Sequence, residues 1–311
     1  MSNPLLTRRD LLGAGAAITA AASMSSPARA AAPKSVNPVG VATLGFNTLT
    51  NAQLADELAA NDVQLIQLFL AQTDSRYWKY NGRSDLSDFT ADRARRIAEA
   101  YRAAGITIHS LGVYTNLIAP DPAERAANLD YFEAMMKVAA AMGVHTLITE
   151  AGHHHPDDDN TVEYHFREPV WHQTVDTVRD LVRRAEAHDM TILVEPFYRG
   201  FFATAKRTRL FIEEINSPRL RALLDPANLI EVNDLPEMFD QLGPYIQCLH
   251  AKDRKYHIDR GVPAGQGDLN YPLFVKLAAE RVPDAPLIAE YVGLKDYKQA
   301  LSKLYSAMPA R

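Results

Sequence analysis

The sequence Thr-Ile-Leu-Val-Glu-Pro-Phe at residues 191–197 is an apolar run of β-type residues that ends on a carboxylate and is followed by proline. Three later apolar runs also end on a residue type that binds metal ions. The four terminal residues are Glu195, Asp225, His250 and Glu290. Their successive separations of 30, 25 and 40 residues leave room for one helix between neighbouring strands. Parallel strands joined by right-handed crossovers have their carboxyl ends on one side. We therefore expect the four side chains to converge.

The alternation of side chains along each run supports this convergence. Side chains of a strand point to alternate faces, and the residues two positions before the four ends are apolar or nearly so. These residues are Leu193, Leu223, Cys248 and Ile288. The pattern is typical of an inward-facing layer beneath a site at a barrel mouth. Lys252 follows His250 by two positions, so its side chain is expected to point into the same mouth.

Apolar runs alternate with amphipathic helical patterns along the rest of the chain. The predicted strands are residues 39–46, 63–70, 106–114, 144–152, 190–197, 220–229, 246–253 and 286–293. The predicted helices are residues 52–60, 91–104, 122–142, 170–188, 205–215, 235–242, 271–281 and 295–307. Eight such units predict an α/β fold, a closed (β/α)8 TIM barrel in a single catalytic domain at residues 38–311. A doubly wound sheet is the alternative, but it would not bring four successive strand ends to one point.

The first 30 residues have the features of an export signal. Arg8 and Arg9 precede a weakly apolar run, and Ala28-Arg29-Ala30 offers a small-x-small cleavage site. We expect a twin-arginine signal peptide at residues 1–30 and a linker at residues 31–37. The mature protein would be periplasmic, without stable membrane association after cleavage. The alternatives are a disordered tail and a membrane anchor, for which the run at residues 11–22 is too short.

Composition narrows the class of protein. A length of 311 residues with 47% hydrophobic residues suits one large domain. The net charge of −5 and the lack of a basic block argue against a nucleic-acid partner. A single cysteine excludes an intrachain disulfide. The oligomeric state stays open, and a homo-oligomer is compatible with the sequence.

Two glutamates, one aspartate and one histidine make an oxygen-rich ligand set with one imidazole. Such a set suits one divalent metal ion, Mn²⁺, Mg²⁺, Co²⁺ or Zn²⁺, with open positions for substrate oxygens. The alternative is that the four are ordinary residues of a barrel mouth. Converging carboxylates without a cation would repel one another, however, which favours the metal site.

The ordered set of strand-end motifs resembles the xylose isomerase-like TIM-barrel superfamily, in particular its sugar phosphate isomerase/epimerase group. The motifs are Val-Glu-Pro at Glu195, Leu-Asp-Pro-Ala-Asn-Leu at Asp225, Leu-His-Ala-Lys-Asp at His250 and Ala-Glu-Tyr at Glu290. The glycine-rich stretch at residues 261–268 also resembles the family's turn after the seventh strand. The resemblance covers about residues 38–305.

The resemblance implies a proton-transfer reaction. In ketose 3-epimerases of this group, two metal-bound glutamates flank the substrate. One removes the proton beside the carbonyl, and the other returns it on the opposite face, while the metal polarises the carbonyl. Carried over, Glu195 and Glu290 would be this catalytic pair. They would lie across the barrel from one another, on the fifth and eighth strands.

Two departures from related enzymes restrict the reaction. Endonuclease IV of the same superfamily holds three zinc ions with additional histidines, and Asn228 and Gly261 stand where two of them would be. A trinuclear phosphodiesterase is therefore not expected. Xylose isomerases shift a hydride between neighbouring substrate carbons at a site with two metal ions, but this sequence has no clear second ligand set. The comparison favours proton transfer.

Six further residues are predicted substrate contacts: Lys252, Glu150, Asn228, Trp78, Phe197 and Arg254. Other interpretations are equally good for several of them. Lys252 would also suit an ion pair with Asp225 or Glu290, and Glu150 would suit a salt bridge. The two aromatic side chains would also suit ordinary lid packing. Three histidines at residues 153–155 are more typical of a solvated loop than of a second metal site.

The sequence thus predicts an exported, metal-dependent isomerase or epimerase that acts on a small-molecule carbohydrate by proton transfer next to a carbonyl. A periplasmic address favours a free or oxidised sugar, or a cyclitol, over a sugar phosphate. Two alternatives stay open. One is a metal-dependent lyase that eliminates a group from a keto-glycoside, and the other is a sugar-binding barrel without catalysis.

Overall fold

The computed structural model describes residues 37–154 and 162–308. The predicted signal peptide, the third loop histidine at residue 155 and the acidic run at residues 157–159 lie outside the described residues. The strands are β1 Val39–Ala42, β2 Leu65–Leu68, β3 Thr107–Gly112, β4 Thr146–Thr149, β5 Thr191–Val194, β6 Leu220–Leu224, β7 Ile246–Lys255, β8 Asp259–Pro263 and β9 Leu287–Ala289. The helices are α1 Asn51–Ala59, α2 Ala91–Ala103, α3 Pro122–Met142, α4 Glu168–Ala187, α5 Ala205–Ile215, α6 Leu235–Leu242, α7 Tyr271–Arg281 and α8 Tyr297–Ala307.

Eight parallel strands close into a barrel. The order runs β6-β5-β4-β3-β2-β1-β9-β7, and a pairing between β6 and β7 joins the two ends. A helix lies between each pair of successive barrel strands, which is the (β/α)8 arrangement. The predicted single TIM barrel is therefore confirmed. Among the described helices, none is long and apolar enough to cross a membrane.

The barrel interior contains the predicted apolar layer. The four residues two positions before the candidate ligands belong to one buried cluster, together with one residue from β1, one from β4 and one just after each of β2 and β3. The cluster consists of Ala42, Phe69, Tyr114, Ile148, Leu193, Leu223, Cys248 and Ile288. Because the strand period is two, the next inward-facing residue on β5, β6, β7 and β9 stands at the barrel mouth. Those residues are the four predicted metal ligands.

Helix ends follow local sequence signals. Asp121 caps α3, since its side chain accepts a hydrogen bond of 2.9 Å from the backbone N–H of Ala123, and Pro122 occupies the first turn. Gly143 ends the same helix with φ of 75°, a left-handed conformation that glycine adopts without a steric penalty. These signals separate α3 from β4, which begins at Thr146.

Two features of the strands differ from the prediction. Most barrel strands are shorter than predicted, because the chain leaves the hydrogen-bonded ladder once it reaches the mouth. The predicted strand 220–229, for example, stops at Leu224, and Asp225 caps the 3₁₀ helix Pro226–Asn228 with a hydrogen bond from the backbone N–H of Ala227. In contrast, β7 continues past the barrel and pairs antiparallel with β8, a hairpin that the sequence interpretation missed.

Candidate metal centre and substrate cavity

The four predicted ligands meet at the carboxyl end of the barrel. Each of Glu195, Asp225, His250 and Glu290 offers one ligand atom, and these atoms all lie within 4.8 Å of one another. All four residues are buried, with at most 8% exposure. Their chemistry of three carboxylates and one imidazole fits a single divalent cation. The group could therefore bind a metal ion.

Glu195 is held at both of its carboxylate oxygens. The Tyr114 hydroxyl donates to Oε2 at 2.7 Å, and the Asn228 side-chain amide donates to Oε1 at 3.0 Å. Nδ1 of His250 lies 3.2 Å from the same Oε1 and 3.5 Å from Glu290 Oε2. The imidazole therefore stands between the two glutamates, with one nitrogen facing the carboxylates.

A second contact sets the orientation of this imidazole. Nε2 of His250 lies 2.6 Å from Gln67 Oε1, which accepts its hydrogen. That hydrogen bond leaves Nδ1 as the nitrogen available to a cation, since a ligating imidazole donates its other N–H to a neighbouring acceptor. Gln67 is fully buried on β2, and its own Nε2 has no hydrogen-bond partner within the described part of the chain. The Gln67 side chain therefore orients the imidazole of His250.

Lys252 forms both of the ion pairs that the sequence suggested. Its Nζ lies 2.8 Å from Asp225 Oδ2 and 3.0 Å from Glu290 Oε2. The pair with Asp225 has the distance of an ion pair but not the angles of a hydrogen bond, so this oxygen keeps a lone pair for a cation. The Lys252 ammonium also lies 4.5 Å from the centre of the Tyr291 ring. The Lys252 ammonium is therefore paired with two of the four candidate metal ligands.

The charges of the centre shift its pKa values in opposite directions. Burial alone would lower the pKa of His250, but the carboxylates of Glu290 and Glu195 raise it to about 9. Burial would raise the pKa of Glu195, but the charge and hydrogen bond of His250 lower it to about 2. Burial raises the pKa of Asp225 to about 6. Without a metal ion, the histidine thus supplies positive charge to the carboxylates, a role that a divalent cation would take over.

A cavity of about 480 Å³ opens beside the centre. Three acidic side chains and one lysine line it: Glu150, Glu195, Glu290 and Lys252. The rest of the wall is largely aromatic and apolar, with Leu44, Phe69, Trp78, Tyr80, Tyr114, Tyr291 and Val292. An apolar cavity with a few convergent polar groups is the usual form of a small-molecule site.

Glu150 reaches this cavity from the end of β4. It follows the inner-layer residue Ile148 by two positions, as the candidate ligands follow theirs. The Tyr80 hydroxyl donates a hydrogen bond of 2.7 Å to it and also lies 3.3 Å from Nε2 of His153. Burial and the nearby Glu195 raise the pKa of Glu150 to about 8. This carboxyl group is therefore largely protonated near neutral pH.

Three of the six predicted substrate contacts line the cavity, and three do not. Lys252, Glu150 and Trp78 line it. Asn228 lies behind Glu195 and donates to it. Phe197 packs edge-on against Tyr198, with ring centres 5.1 Å apart.

Arg254, also predicted as a substrate contact, does not line this cavity. Its guanidinium is 4.4 Å from the centre of the Tyr198 ring, and its Nε is 3.3 Å from Glu231 Oε1. The reason is a register shift of the hairpin between Asp253 and Lys255. Beyond that point, the alternation that carries His250 and Lys252 into the mouth no longer holds.

The sheet order also corrects one expectation about the glutamate pair. Glu195 follows β5 and Glu290 follows β9, and β6 and β7 lie between them on one side of the barrel. The pair is therefore separated by two strands on that side, rather than lying directly across the barrel.

Sequence interpretation missed several residues of the site. Gln67 and Tyr114 support the candidate ligands, and Tyr291 covers the lysine. A polar residue at an inward position within the apolar run 63–70 was the available signal for Gln67. Tyr291 carried no such signal, because its ring position depends on a backbone φ of 56° after the strand end.

Comparison with known protein families agrees with this geometry. The model of the xylose isomerase-like TIM barrel family matches residues 55–307. The chain belongs to this family. No curated protein sequence matches the chain significantly.

Solved structures of xylose isomerase-like barrels and related enzymes share the fold. A probable 3-DHS dehydratase from Bacillus anthracis aligns with a TM-score of 0.69 and 16% identity, over 88% of this chain and 100% of that one. D-psicose 3-epimerase from Clostridium cellulolyticum aligns with a TM-score of 0.64 and 16% identity, over 87% and 96%. The 3-keto-D-glucoside 4-epimerase from E. coli aligns with a TM-score of 0.66 and 12% identity, over 87% and 99%.

Proposed function

We propose that the chain is a metal-dependent isomerase or epimerase that acts on a sugar or keto-sugar by proton transfer next to a carbonyl. The observation that carries this proposal is the placement of Glu195 and Glu290 at one cavity, on either side of His250. Family membership and the epimerases among the similar structures support it. We propose Glu195, Asp225, His250 and Glu290 as the ligands of one divalent ion.

The residues of the centre would have distinct roles in this reaction. When bound, the divalent ion supplies a Lewis acid that polarises the substrate carbonyl. Tyr114 and Asn228 donate to Glu195 and fix the orientation of its carboxylate. Glu290 accepts from Lys252 and faces the cavity, so it can exchange a proton with a substrate carbon. One glutamate would take the proton beside the carbonyl and become a carboxylic acid. The other would begin as the carboxylic acid and return its proton to the same carbon, so that the two exchange protonation states.

Glu195→Gln and Glu290→Gln test the assignment. Each change keeps one ligand oxygen but removes the proton-carrying group, so turnover of keto-sugars or inositol ketones should fall about a hundredfold or more. Metal content is measured on the same samples, and solvent deuterium incorporation is read by mass spectrometry. Glu99→Gln, on the exposed face of α2, serves as the control. Full metal content with near-normal turnover in both cavity variants would contradict the proposal.

A lyase is the second candidate, and Glu150 is the observation that favours it. A carboxyl group with a pKa of about 8 in the cavity could protonate a leaving oxygen while a glutamate removes the proton beside the carbonyl. The dehydratase among the similar structures is consistent with such an elimination. Product analysis separates the two reactions, since an epimerase conserves the mass of its substrate. Activity that depends on added metal separates both from a barrel that only binds sugars.

The periplasm is the proposed location. This proposal rests on the Arg8-Arg9 pair and the cleavage site near residue 30. In cell fractionation, Arg8→Lys combined with Arg9→Lys should hold the uncleaved chain in the cytoplasm. Normal export of the double variant would rule out the twin-arginine route.

A further inference from the structure

The size of the cavity points to a substrate larger than one sugar ring. Its volume of about 480 Å³ lies within the range of roughly 300–1,000 Å³ that is typical of sites for drug-sized ligands. A single hexose is smaller than the drug-sized ligands for which this range is typical. A ring carrying a further substituent matches the space better.

The wall of the cavity divides into a polar and an aromatic part. The polar part contains Glu195, Glu290 and Lys252 at the candidate metal centre. The aromatic part comes from the segments that follow β2 and β3, and its rings touch one another. Phe69 stacks on Tyr114 with centres 5.7 Å apart and meets Trp78 edge-on at 5.8 Å, and Tyr80 lies 6.4 Å from Tyr114. A substrate that fills both parts needs a polar carbonyl end and a second, ring-like or apolar end.

A further part of the wall is formed by the segments that follow β1 and β9. Gly45 and Gly293 pair directly there, and a Cβ on Gly45 would lie 2.1 Å from the carbonyl oxygen of Val292. The Tyr291 ring packs on Gly261 of the hairpin, where a Cβ would lie 2.4 Å from the ring. Because Gly45 and Gly261 have no side chains, the backbone of this part of the wall can pack closely against Val292 and the Tyr291 ring. This part of the wall adds no further charged side chain among the described cavity residues.

The charges of the wall argue against an anionic substrate. Lys252 is the one cation among the described residues that line the cavity, and Asp225 and Glu290 already neutralise it. The Tyr291 ring covers it from another side. Arg254 is directed away and is paired with Glu231. A divalent ion at the centre would already be balanced by the carboxylates of Glu195, Asp225 and Glu290. A phosphate group elsewhere in the cavity would meet no free cation among the described lining residues, so its desolvation would not be compensated.

From these observations we propose that the cavity binds an uncharged keto-glycoside. The keto-sugar ring would lie at the metal centre, and the aglycone or second sugar would lie against Trp78 and Tyr80. This inference rests on the proposed function for the placement of the carbonyl. It goes further by naming a neutral glycoside as the substrate class, in preference to a free monosaccharide or a sugar phosphate.

Binding of unreactive ligands tests the substrate class without relying on turnover. Metal-loaded protein is titrated by calorimetry with glucose, methyl glucoside, phenyl glucoside and glucose 6-phosphate, which lack the keto group. Phenyl glucoside should bind about threefold to tenfold more tightly than glucose, the range expected for one aromatic contact. Glucose 6-phosphate should bind no more tightly than glucose. Trp78→Leu should abolish the preference for the phenyl glycoside, whereas Tyr305→Leu, which removes an exposed ring from α8, should keep it.

Exchange measurements on the corresponding keto-sugars keep the two proposals separable. If glycosides bind preferentially but neither the free keto-sugar nor its glycoside exchanges a proton with heavy water, the proposed function is wrong and the substrate class stands. If proton exchange occurs equally well on free sugar and glycoside, the function stands and the substrate class is wrong. A preference for the phosphate, or no binding of any of the four ligands, also overturns the substrate class.

Discussion

At the scale of single residues, strand periodicity predicted more of the site than any motif did. The side chains of β5, β6, β7 and β9 alternate regularly up to the barrel mouth, so the positions of the four candidate ligands and of Lys252 followed from the sequence. Arg254 departs from this alternation and does not line the cavity, because the register of the hairpin shifts there. Contacts between distant strands, such as that of Gln67 with His250, could not be predicted because they depend on barrel closure.

The contact between Gln67 and His250 leads to a prediction about metal affinity. Gln67→Leu removes the acceptor of the Nε2 hydrogen, so the imidazole would lose the hydrogen bond that holds Nδ1 towards the carboxylates. Loss of such a supporting contact typically weakens metal binding by about 10-fold to 100-fold. Competition with a chelating dye measures the affinity for Mn²⁺ or Zn²⁺.

Gln64→Leu is the matched control, because Gln64 is exposed three residues earlier on the same segment. Its affinity should equal that of the unchanged protein. Unchanged affinity in Gln67→Leu would show that His250 does not depend on this amide, and it would weaken the assignment of the imidazole as a ligand.

At the scale of elements, the β7–β8 hairpin is the largest departure from the sequence prediction. It looks like a glycine-rich loop in sequence, yet it forms an ordered ladder that packs Gly261 under Tyr291. Its return to α7 is fixed by Asp253, whose Oδ1 accepts hydrogen bonds from the backbone N–H groups of Arg254 and Leu269 at 2.8 and 3.0 Å. Because the backbone of this turn packs closely around the Asp253 carboxylate, there is little space for an added side chain beside it.

Gly267→Ala should therefore destabilise the protein. A Cβ at this position would lie 2.2 Å from the carbonyl oxygen of Arg254 and 2.4 Å from Asp253 Oδ1. Such overpacking against backbone typically costs about 1–3 kcal/mol in the free energy of unfolding. Urea denaturation measures the cost.

Gly243→Ala provides a control of the same chemistry. Gly243 has φ of −44°, and a Cβ there would meet no atom within 4 Å. This change should be neutral or stabilise by up to about 1 kcal/mol, because it restricts the unfolded chain. Equal midpoints for the two variants would show that the turn at Gly267 can relax.

At the scale of the whole molecule, the sequence predicted the barrel because every level of the signal agreed. Eight apolar runs, helix caps such as Asp121 and the inward layer beneath the ligands all favoured the same closed sheet. The shape of the cavity could not be predicted in this way. Its aromatic part comes from Trp78 and Tyr80, which follow β2, and from Tyr114, which follows β3, so it forms only in the folded barrel.

The metal-free protein should lose stability as the pH rises from about 6.5 to about 8. The folded state raises the pKa of Glu150 from 4.5 to about 8 and that of His250 from 6.5 to about 9. In this window the folded state holds more protons than the unfolded state, and stability falls with pH wherever that is so. The contribution of His250 is complete below pH 6.5 and is lost as the pH passes through 9.

Added metal should act in the opposite direction. A metal ion competes with the proton on His250, so its binding strengthens as the pH rises, and binding to the folded state alone raises the melting temperature. Thermal melts at pH 6.5 and pH 9, with chelator or with excess Mn²⁺, should show the larger rise at pH 9. Glu150→Gln should reduce the pH dependence of the metal-free protein without abolishing the effect of metal, since Glu150 is not part of the candidate ligand group. A metal-free protein that gains stability between pH 6.5 and 8 would contradict the raised pKa values, and a metal effect that is larger at pH 6.5 would contradict ligation by the histidine.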